Sequence, residues 1–463
     1  MEEVQIGRHS EKELLELESR YCSYGDTVHY SEQPIIFEKC EGSWLYDMQG
    51  TPYLDVQMWY SAVNFGYRNK DIEEAHHRQM AMLPQVASQY LHKEKILLAA
   101  AISRETEKRF GSPGRVHFNV GGAQAIEDSI KLVRNCKKGK SLVFAFMGGY
   151  HGRTLAATEI TSSFRYRKRY GHFGNRATFV PFPYCYRCFY GKERSACDYE
   201  CVRQFAKLFE TEYYGVIDSK DQEVEYAAFY VEPVQATGGY IIPPPEYFAR
   251  LAEVLRKYGI VLVDDEIQMG FYRTGRLWAL EHFGVKPDVI AFAKSLTNGL
   301  NPLSGIWARE ELIAPDLFPP GSTHSTFSSN PLGTAAGLAT MELIKKHDFQ
   351  RTVSEKGQYL LARLKELRKK HAVIGDVDSL GLAVRIEMTR TDGFTPDRQL
   401  TDRIFQEGMK GDITIDGKKY GLVLDVGGYY KNVFTLAPAL TITAGEMDLF
   451  IRLFEALLNR CGA

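Results

Sequence analysis

Two residues of this chain have the type and position for covalent chemistry. Lys294 follows the apolar run Val289-Ile290-Ala291-Phe292-Ala293, and Asp265 ends the run Val261-Leu262-Val263-Asp264-Asp265. Each run reads as a short strand that delivers an ionisable group at its carboxyl end, the edge where an open parallel α/β sheet binds ligands. A neutral lysine amine condenses with an aldehyde, and an opposed carboxylate keeps a pyridine nitrogen protonated. Together these are the requirements of pyridoxal 5′-phosphate (PLP) chemistry. Two solvated strand-end charges would give the same pattern, so the pair needs support from its surroundings.

That support comes from the elements upstream. Val116 to Asn119 reads as a strand that turns at Gly121-Gly122 into a helix with Ile126, Ile130 and Val133 at helical spacing. A Gly-Gly turn there offers backbone N–H groups at a helix N-terminus, so Gly121, Gly122, Ala123 and Gln124 can cradle a phosphate. Ser141 to Phe146 is a second strand, followed by Tyr150, an aromatic able to lie on a pyridine ring, and by His151-Gly152, which allow close approach. Ala227 to Val231 is a third strand, ending in Glu232-Pro233-Val234-Gln235. The helix after it buries Phe248, Leu251, Leu255 and Tyr258 and stops at Gly259. Phosphate cradle, ring stacker, carboxylate and amine therefore follow one another, each at the end of an expected strand.

Strand–helix alternation implies α/β architecture, with a mostly parallel sheet flanked by helices. The last part changes character: a helix from about Val353 to Lys370, a strand Ala383 to Met388, and a final helix with Phe450, Ile451, Phe454 and Leu458, capped by Thr443 and Glu446. We expect an N-terminal segment (1–80) that joins a small α+β domain, a large PLP-binding domain (81–340) and a C-terminal small domain (341–463). With 463 residues, 44% of them hydrophobic, a large core is available. Lys plus Arg (57) balance Asp plus Glu (58), so no global field favours nucleic acid or an anionic membrane. The charged first twenty residues exclude a secretory signal, and no run reaches the roughly 18 apolar residues of a membrane span. Eight cysteines in so long a chain fit a reducing, cytoplasmic setting.

Across nearly its whole length the sequence resembles the class III (omega/amine) aminotransferases, PLP-dependent enzymes of fold type I. The likeness runs through Gly42-Ser43-Trp44-Leu45-Tyr46-Asp47 with Gly50, Tyr53, Leu54 and Asp55, then Val120-Gly121-Gly122-Ala123-Gln124-Ala125 and Tyr150-His151-Gly152-Arg153-Thr154. It continues in Glu232-Pro233-Val234-Gln235, Asp265-Glu266-Ile267-Gln268-Met269-Gly270-Phe271, Arg273-Thr274-Gly275, Lys294, and His324-Ser325-Thr326-Phe327-Ser328-Ser329-Asn330-Pro331. The resemblance implies that Lys294 is the cofactor-binding lysine and proton shuttle, Asp265 the ring-nitrogen partner, Gln268 a neighbour of the ring hydroxyl and Tyr150 the stacking ring. It also implies phosphate binding by Gly122 and Ala123, and by Thr326 toward the neighbouring subunit. That makes a homodimer with active sites at its interface, and leaves further pairing into tetramers open.

Departures from the family pattern bear on substrate. Many members carry an Arg shortly before a Pro-Pro-Leu segment, where it clamps a carboxylate; here the segment reads Phe434-Thr435-Leu436-Ala437-Pro438-Ala439-Leu440, with Thr435 in that place. Losing such a pair costs roughly 1.5–3 kcal/mol. Glu232, which pairs with that Arg in relatives, loses a partner, and Arg165, Arg167 and Lys431 become substitutes to consider. Trp59 and Tyr60, with Met58 and Phe65, are candidates for the pocket entrance, and Gly66-Tyr67 replaces the family's Gly-His. Cys185, Cys188, Cys197 and Cys201 have spacing that could bind zinc or an iron–sulfur cluster, or they are buried free thiols of an insertion.

The reading is a transaminase that passes an amino group from a primary amine or omega-amino compound to a keto acid such as pyruvate, by ping-pong kinetics. A racemase, epimerase or decarboxylase on the same fold is the alternative, and a non-catalytic PLP-binding regulator a more remote one.

Overall fold

The computed structural model describes residues 9–25, 29–168, 170, 174 and 176–463. Its centre is a seven-stranded sheet in the order Gly114–Asn119, Ser304–Arg309, Val289–Phe292, Val261–Asp265, Tyr226–Val231, Leu142–Phe146, Ala177–Val180. The five strands from Val289–Phe292 to Ala177–Val180 pair in parallel, whereas Ser304–Arg309 runs antiparallel to both its neighbours. Every residue of Val261–Asp265 and of Val289–Phe292 is buried. Both faces of the sheet are covered, which is why these strands read as continuous apolar runs rather than alternating ones.

Successive side chains nevertheless serve opposite layers. Val143, Ala145, Tyr230, Val263 and Ala291 pack with Ile126, Leu132 and Val133 of the helix Gly122–Cys136. Phe144, Phe146, Phe229 and Leu262 pack on the other side with Phe248, Leu251 and Leu255 of the helix Tyr247–Lys257. Gly259, at φ +63°, ends that second helix in the left-handed conformation expected of a C-terminal glycine.

Two smaller sheets accompany it. Ile374–Leu380, Ala383–Met388, Val433–Leu436 and Val426–Gly427 form an antiparallel sheet. Phe37–Glu41, Trp44–Asp47 and Pro52–Asp55 join Lys418–Val423 and Ile413–Ile415, so the two chain ends build one five-stranded sheet. The expected capping box of the last helix is present, with Thr443 and Glu446 exchanging hydrogen bonds. Divisions at 80 and 340 fall inside the helices Lys70–Met82 and Pro331–Lys346.

Arg273 knots these parts together. It is fully buried, and its Nε donates to Ser61 Oγ (2.8 Å), Nη1 to Pro438 O (2.6 Å) and Nη2 to Asn64 Oδ1 (2.6 Å). Among the described residues no helix is long and apolar enough to cross a membrane.

Candidate active site

The parallel strands finish at one edge of the large sheet, and four of the singled-out residues stand there. Asp265 closes its strand, Glu232 follows Val231, and Tyr150 and His151 follow the turn after Phe146. Lys294 comes later than its sequence run suggests. The strand stops at Phe292, and Lys294 opens a short 3₁₀ turn, Lys294–Thr297, at φ +45°. A non-glycine residue held in this region stores strain of order 1–3 kcal/mol, which persists only where the surroundings fix it. Here the result is an amine aimed across the sheet edge, donating from Nζ to Gln268 Oε1 at 3.2 Å.

Burial pushes the Lys294 amine down to about 8, against the opposing charges of Asp265, Glu232 and Asp425. Facing it, Asp265 is 5% exposed, accepts the Ile267 N–H at 3.1 Å through Oδ1, and meets His151 Nδ1 at 2.8 Å through Oδ2. Burial lowers the affinity of the His151 ring for protons, but the Asp265 hydrogen bond and the Asp265 and Glu232 charges more than offset it, so its pKa is raised. Glu232 is pushed up to about 7 by burial, and its oxygens accept the N–H groups of Tyr150 (2.9 Å) and Ala236 (3.0 Å).

These groups line one cavity of about 700 Å³, together with Gly121, Gly122, Ala123 and Tyr150. At the start of helix Gly122–Cys136, Gln124 Oε1 accepts the Gly121 N–H at 2.7 Å, while the N–H groups of Gly122 and Ala123 find no acceptor among the described residues. Gly152 lies at φ +132°, and a Cβ on it would come within 2.7 Å of the Ala123 Cβ. The donor set fits PLP: free N–H groups for a phosphate, a hydrogen-bonded carboxylate for a ring nitrogen, and a low-pKa amine for an aldehyde.

Other candidates fall elsewhere. Trp59 lines the cavity and is 57% exposed, while Tyr60 and Thr435 do not line it. Thr435 is buried, and its hydroxyl donates to Asp425. Thr326 sits exposed outside the cavity. Arg165 stacks on Tyr166, Arg167 donates to Ser162 O, and Lys431 donates to Val426 O, so none of the three reaches the cavity wall. Cys185, Cys188, Cys197 and Cys201 are free thiols but not buried ones: Cys185 is exposed and the other three are half-buried. Among the described residues no group of three or more His, Cys, Asp or Glu is arranged to hold a metal.

Two residues matter that their types alone did not flag. Arg153 is the guanidinium that does line the cavity, stacked 4.6 Å from the Tyr166 ring centroid. Its place directly after Tyr150-His151-Gly152 was the available signal. Asp425 has no sequence signature, because its proximity to Lys294 depends on sheet pairing between the chain ends.

Known proteins resemble the chain over nearly its whole length. A leucine/methionine racemase of Thermococcus litoralis is 32% identical over 94% of this chain and 93% of its own length. A probable 4-aminobutyrate aminotransferase of Bacillus subtilis is 31% identical over 91% of this chain and 92% of its own. The crystal structure of a thermostable (S)-enantioselective omega-transaminase from Thermomicrobium roseum superimposes with a TM-score of 0.84 at 27% identity, covering 98% of this chain and all of that one (100%). The family model described as aminotransferase class-III matches residues 27–458, and the chain belongs to that PLP-dependent family.

Proposed function

We propose that the chain is a transaminase that moves an amino group from a primary amine or omega-amino compound to a keto acid such as pyruvate, as a cytoplasmic homodimer with ping-pong kinetics. The observation that carries the reading is the Lys294 amine set in one cavity with Asp265, whose carboxylate is held by the His151 imidazole at 2.8 Å. When bound, PLP supplies an aldehyde for the amino group and an electron sink for the carbon that loses its proton. Asp265, oriented by His151, would hold the proton at the ring nitrogen. Lys294 Nζ would take the proton from the donor carbon and return one to the acceptor carbon, a task suited to an amine that is substantially neutral at pH 7–8. Gly122 and Ala123 would fix the phosphate, and Arg153 would hold the acceptor carboxylate. One site serves both half-reactions, hence the ping-pong order.

Racemisation is the second reading, favoured by the likeness to the leucine/methionine racemase. One experiment separates the two. The holoenzyme is mixed with amines and amino acids without acceptor, with absorbance and stereochemistry followed together. A transaminase converts donor to carbonyl product stoichiometrically and stops, whereas a racemase inverts an amino acid with no carbonyl formed. Lys294→Ala should abolish both turnover and the absorbance band that depends on the linkage between the lysine and the cofactor. Turnover by that variant would refute the assignment.

A further inference from the structure

The turn that carries Trp59 to the cavity wall is strained along its whole length. Met58, Trp59, Tyr60 and Ser61 lie at φ +45°, +53°, +56° and +66°, successive non-glycine residues in the left-handed region. L-residues enter that region singly as a rule, so an unbroken run persists only where its surroundings hold it.

The holding bonds are buried and grip the turn from both ends. Before it, Asp55 Oδ1 accepts the N–H groups of Gln57 and Met58, each at 2.8 Å. After it, Ser61 Oγ donates to Asn64 Oδ1 at 2.9 Å and accepts from Arg273 Nε at 2.8 Å. Asp55 is itself fixed from outside the turn, because the Tyr67 hydroxyl donates to its Oδ2 at 2.7 Å. The Tyr67 ring packs against Met58, Ala62, Val63 and Ala439. One side chain therefore braces the turn twice, through its ring and through its hydroxyl.

The same segment is tied to the lysine. Asn298 follows the 3₁₀ turn Lys294–Thr297; its Oδ1 accepts the Phe65 N–H at 3.0 Å and its Nδ2 donates to Gly66 O at 2.8 Å. The next residue, Gly299, lies against the indole: a Cβ there would stand 3.1 Å from Trp59 Cζ3. Residues 65–67 thus connect the lysine turn to the tryptophan turn, and Trp59 closes the circuit on the wall of the cavity that also holds Lys294. The bonds to Asn298 are made by backbone and do not involve the Tyr67 side chain, whereas the brace on the Trp59 turn does. An indole on that wall offers its face to the ring of an aromatic donor as long as the turn keeps it in place.

We propose that Tyr67, acting through Asp55, is a positioning residue that seats the Trp59 ring against Gly299 and so favours aromatic amino donors over small ones. This rests on the aminotransfer reading and adds the class of donor to it.

Benzylamine and ethylamine test it on the holoenzyme of the native protein, Tyr67→Phe, Trp59→Ala and the double variant. Tyr67→Phe keeps the ring packing and removes only the hydroxyl. In that variant the kcat/KM ratio of benzylamine to ethylamine should fall about fivefold or more, the order of one lost aromatic contact. The fall should come through KM, with kcat for ethylamine within about twofold of native, because Lys294 and Asp265 keep their partners. In the Trp59→Ala background the same change should leave the ratio where Trp59→Ala alone puts it, since Tyr67 acts through that ring. An unchanged ratio in Tyr67→Phe, or an equal fall in both backgrounds, overturns the proposal. Should Tyr67→Phe not fold, Gly299→Ala should lower the ratio by displacing the ring from its other side, and an unchanged ratio there overturns the proposal as well. Absorbance changes of the bound cofactor as each amine is added give the two affinities whether or not turnover follows. A Tyr67-dependent affinity ratio without carbonyl product sustains the positioning role and refutes aminotransfer, while carbonyl product from both amines with a ratio indifferent to Tyr67 does the reverse.

Discussion

Lys294 concentrates the chemistry because the fold makes its charged form expensive. Its amine falls from the ordinary 10.5 to about 8, chiefly through burial. Between those values the folded protein binds fewer protons than the unfolded chain, so stability rises with pH across that window and sits at its lower level below it. Without cofactor, the buried ammonium at pH 7 costs on the order of 3 kcal/mol at about 1.4 kcal/mol per pKa unit. Replacing Lys294 by Met removes that cost while keeping a similar volume. The apoprotein of Lys294→Met should therefore be more stable than the native apoprotein at pH 7, and the advantage should shrink as pH passes 10. Urea midpoints of the two apoproteins at pH 7 and pH 10 check this, and equal midpoints at pH 7 would contradict the burial argument. A residue that destabilises its own fold and is relieved when it reacts fits the strained φ of +45° at the same position.

At the scale of elements, the site depends on strand ends that bring backbone as close as side chain. Gly152 shows how tight this is, with φ +132° and only 2.7 Å from an added Cβ to the Ala123 Cβ at the start of helix Gly122–Cys136. Gly152→Ala should displace the N-terminal turn that offers the Gly122 and Ala123 N–H groups, weakening cofactor retention at least tenfold and destabilising the protein by roughly 1–3 kcal/mol. Dialysis against PLP-free buffer, followed by the remaining visible absorbance, measures the first effect. The same elements explain what the sequence disclosed. Central strands such as Val261–Asp265 and Val289–Phe292 were legible because burial on both faces leaves uninterrupted apolar runs, and the helix Gly122–Cys136 because its apolar face recurs at 3.6 residues. The antiparallel Ser304–Arg309 was not legible: its run Ser304-Gly305-Ile306-Trp307-Ala308-Arg309 says nothing about direction, which the register with Asn119 and Phe292 decides. Asp425 was silent for a like reason, since its neighbourhood is made by pairing residues from opposite ends of the chain.

At the scale of the whole molecule, exposed apolar side chains near the loop that bears Thr326 bear on assembly. Leu91 is 76% exposed, Tyr90 61%, Met82 77% and Phe327 69%. Three of them lie on adjoining segments: Ser88 Oγ lies 3.1 Å from His324 Nε2, and His92 Nε2 lies 2.8 Å from Ser329 O, so the segment around Tyr90 and Leu91 abuts the loop that bears Thr326 and Phe327. Large apolar side chains exposed on adjoining segments are suited to a covering surface. A second copy of the chain is the occupant our proposed dimer supplies, and a stable interface needs about 800 Å² from each partner. The exposed Thr326 would then face the partner's cavity rather than its own. Leu91→Glu combined with Phe327→Glu places two carboxylates on those segments of each subunit, doubling to four across a two-fold axis. Sedimentation should show a dimer for the native protein and a monomer for the variant, with cofactor retention lost alongside the dimer because each site would lack its partner's contribution. A variant that stays dimeric would place the interface elsewhere, and a monomer that keeps its cofactor and full turnover would show that one chain alone completes the site.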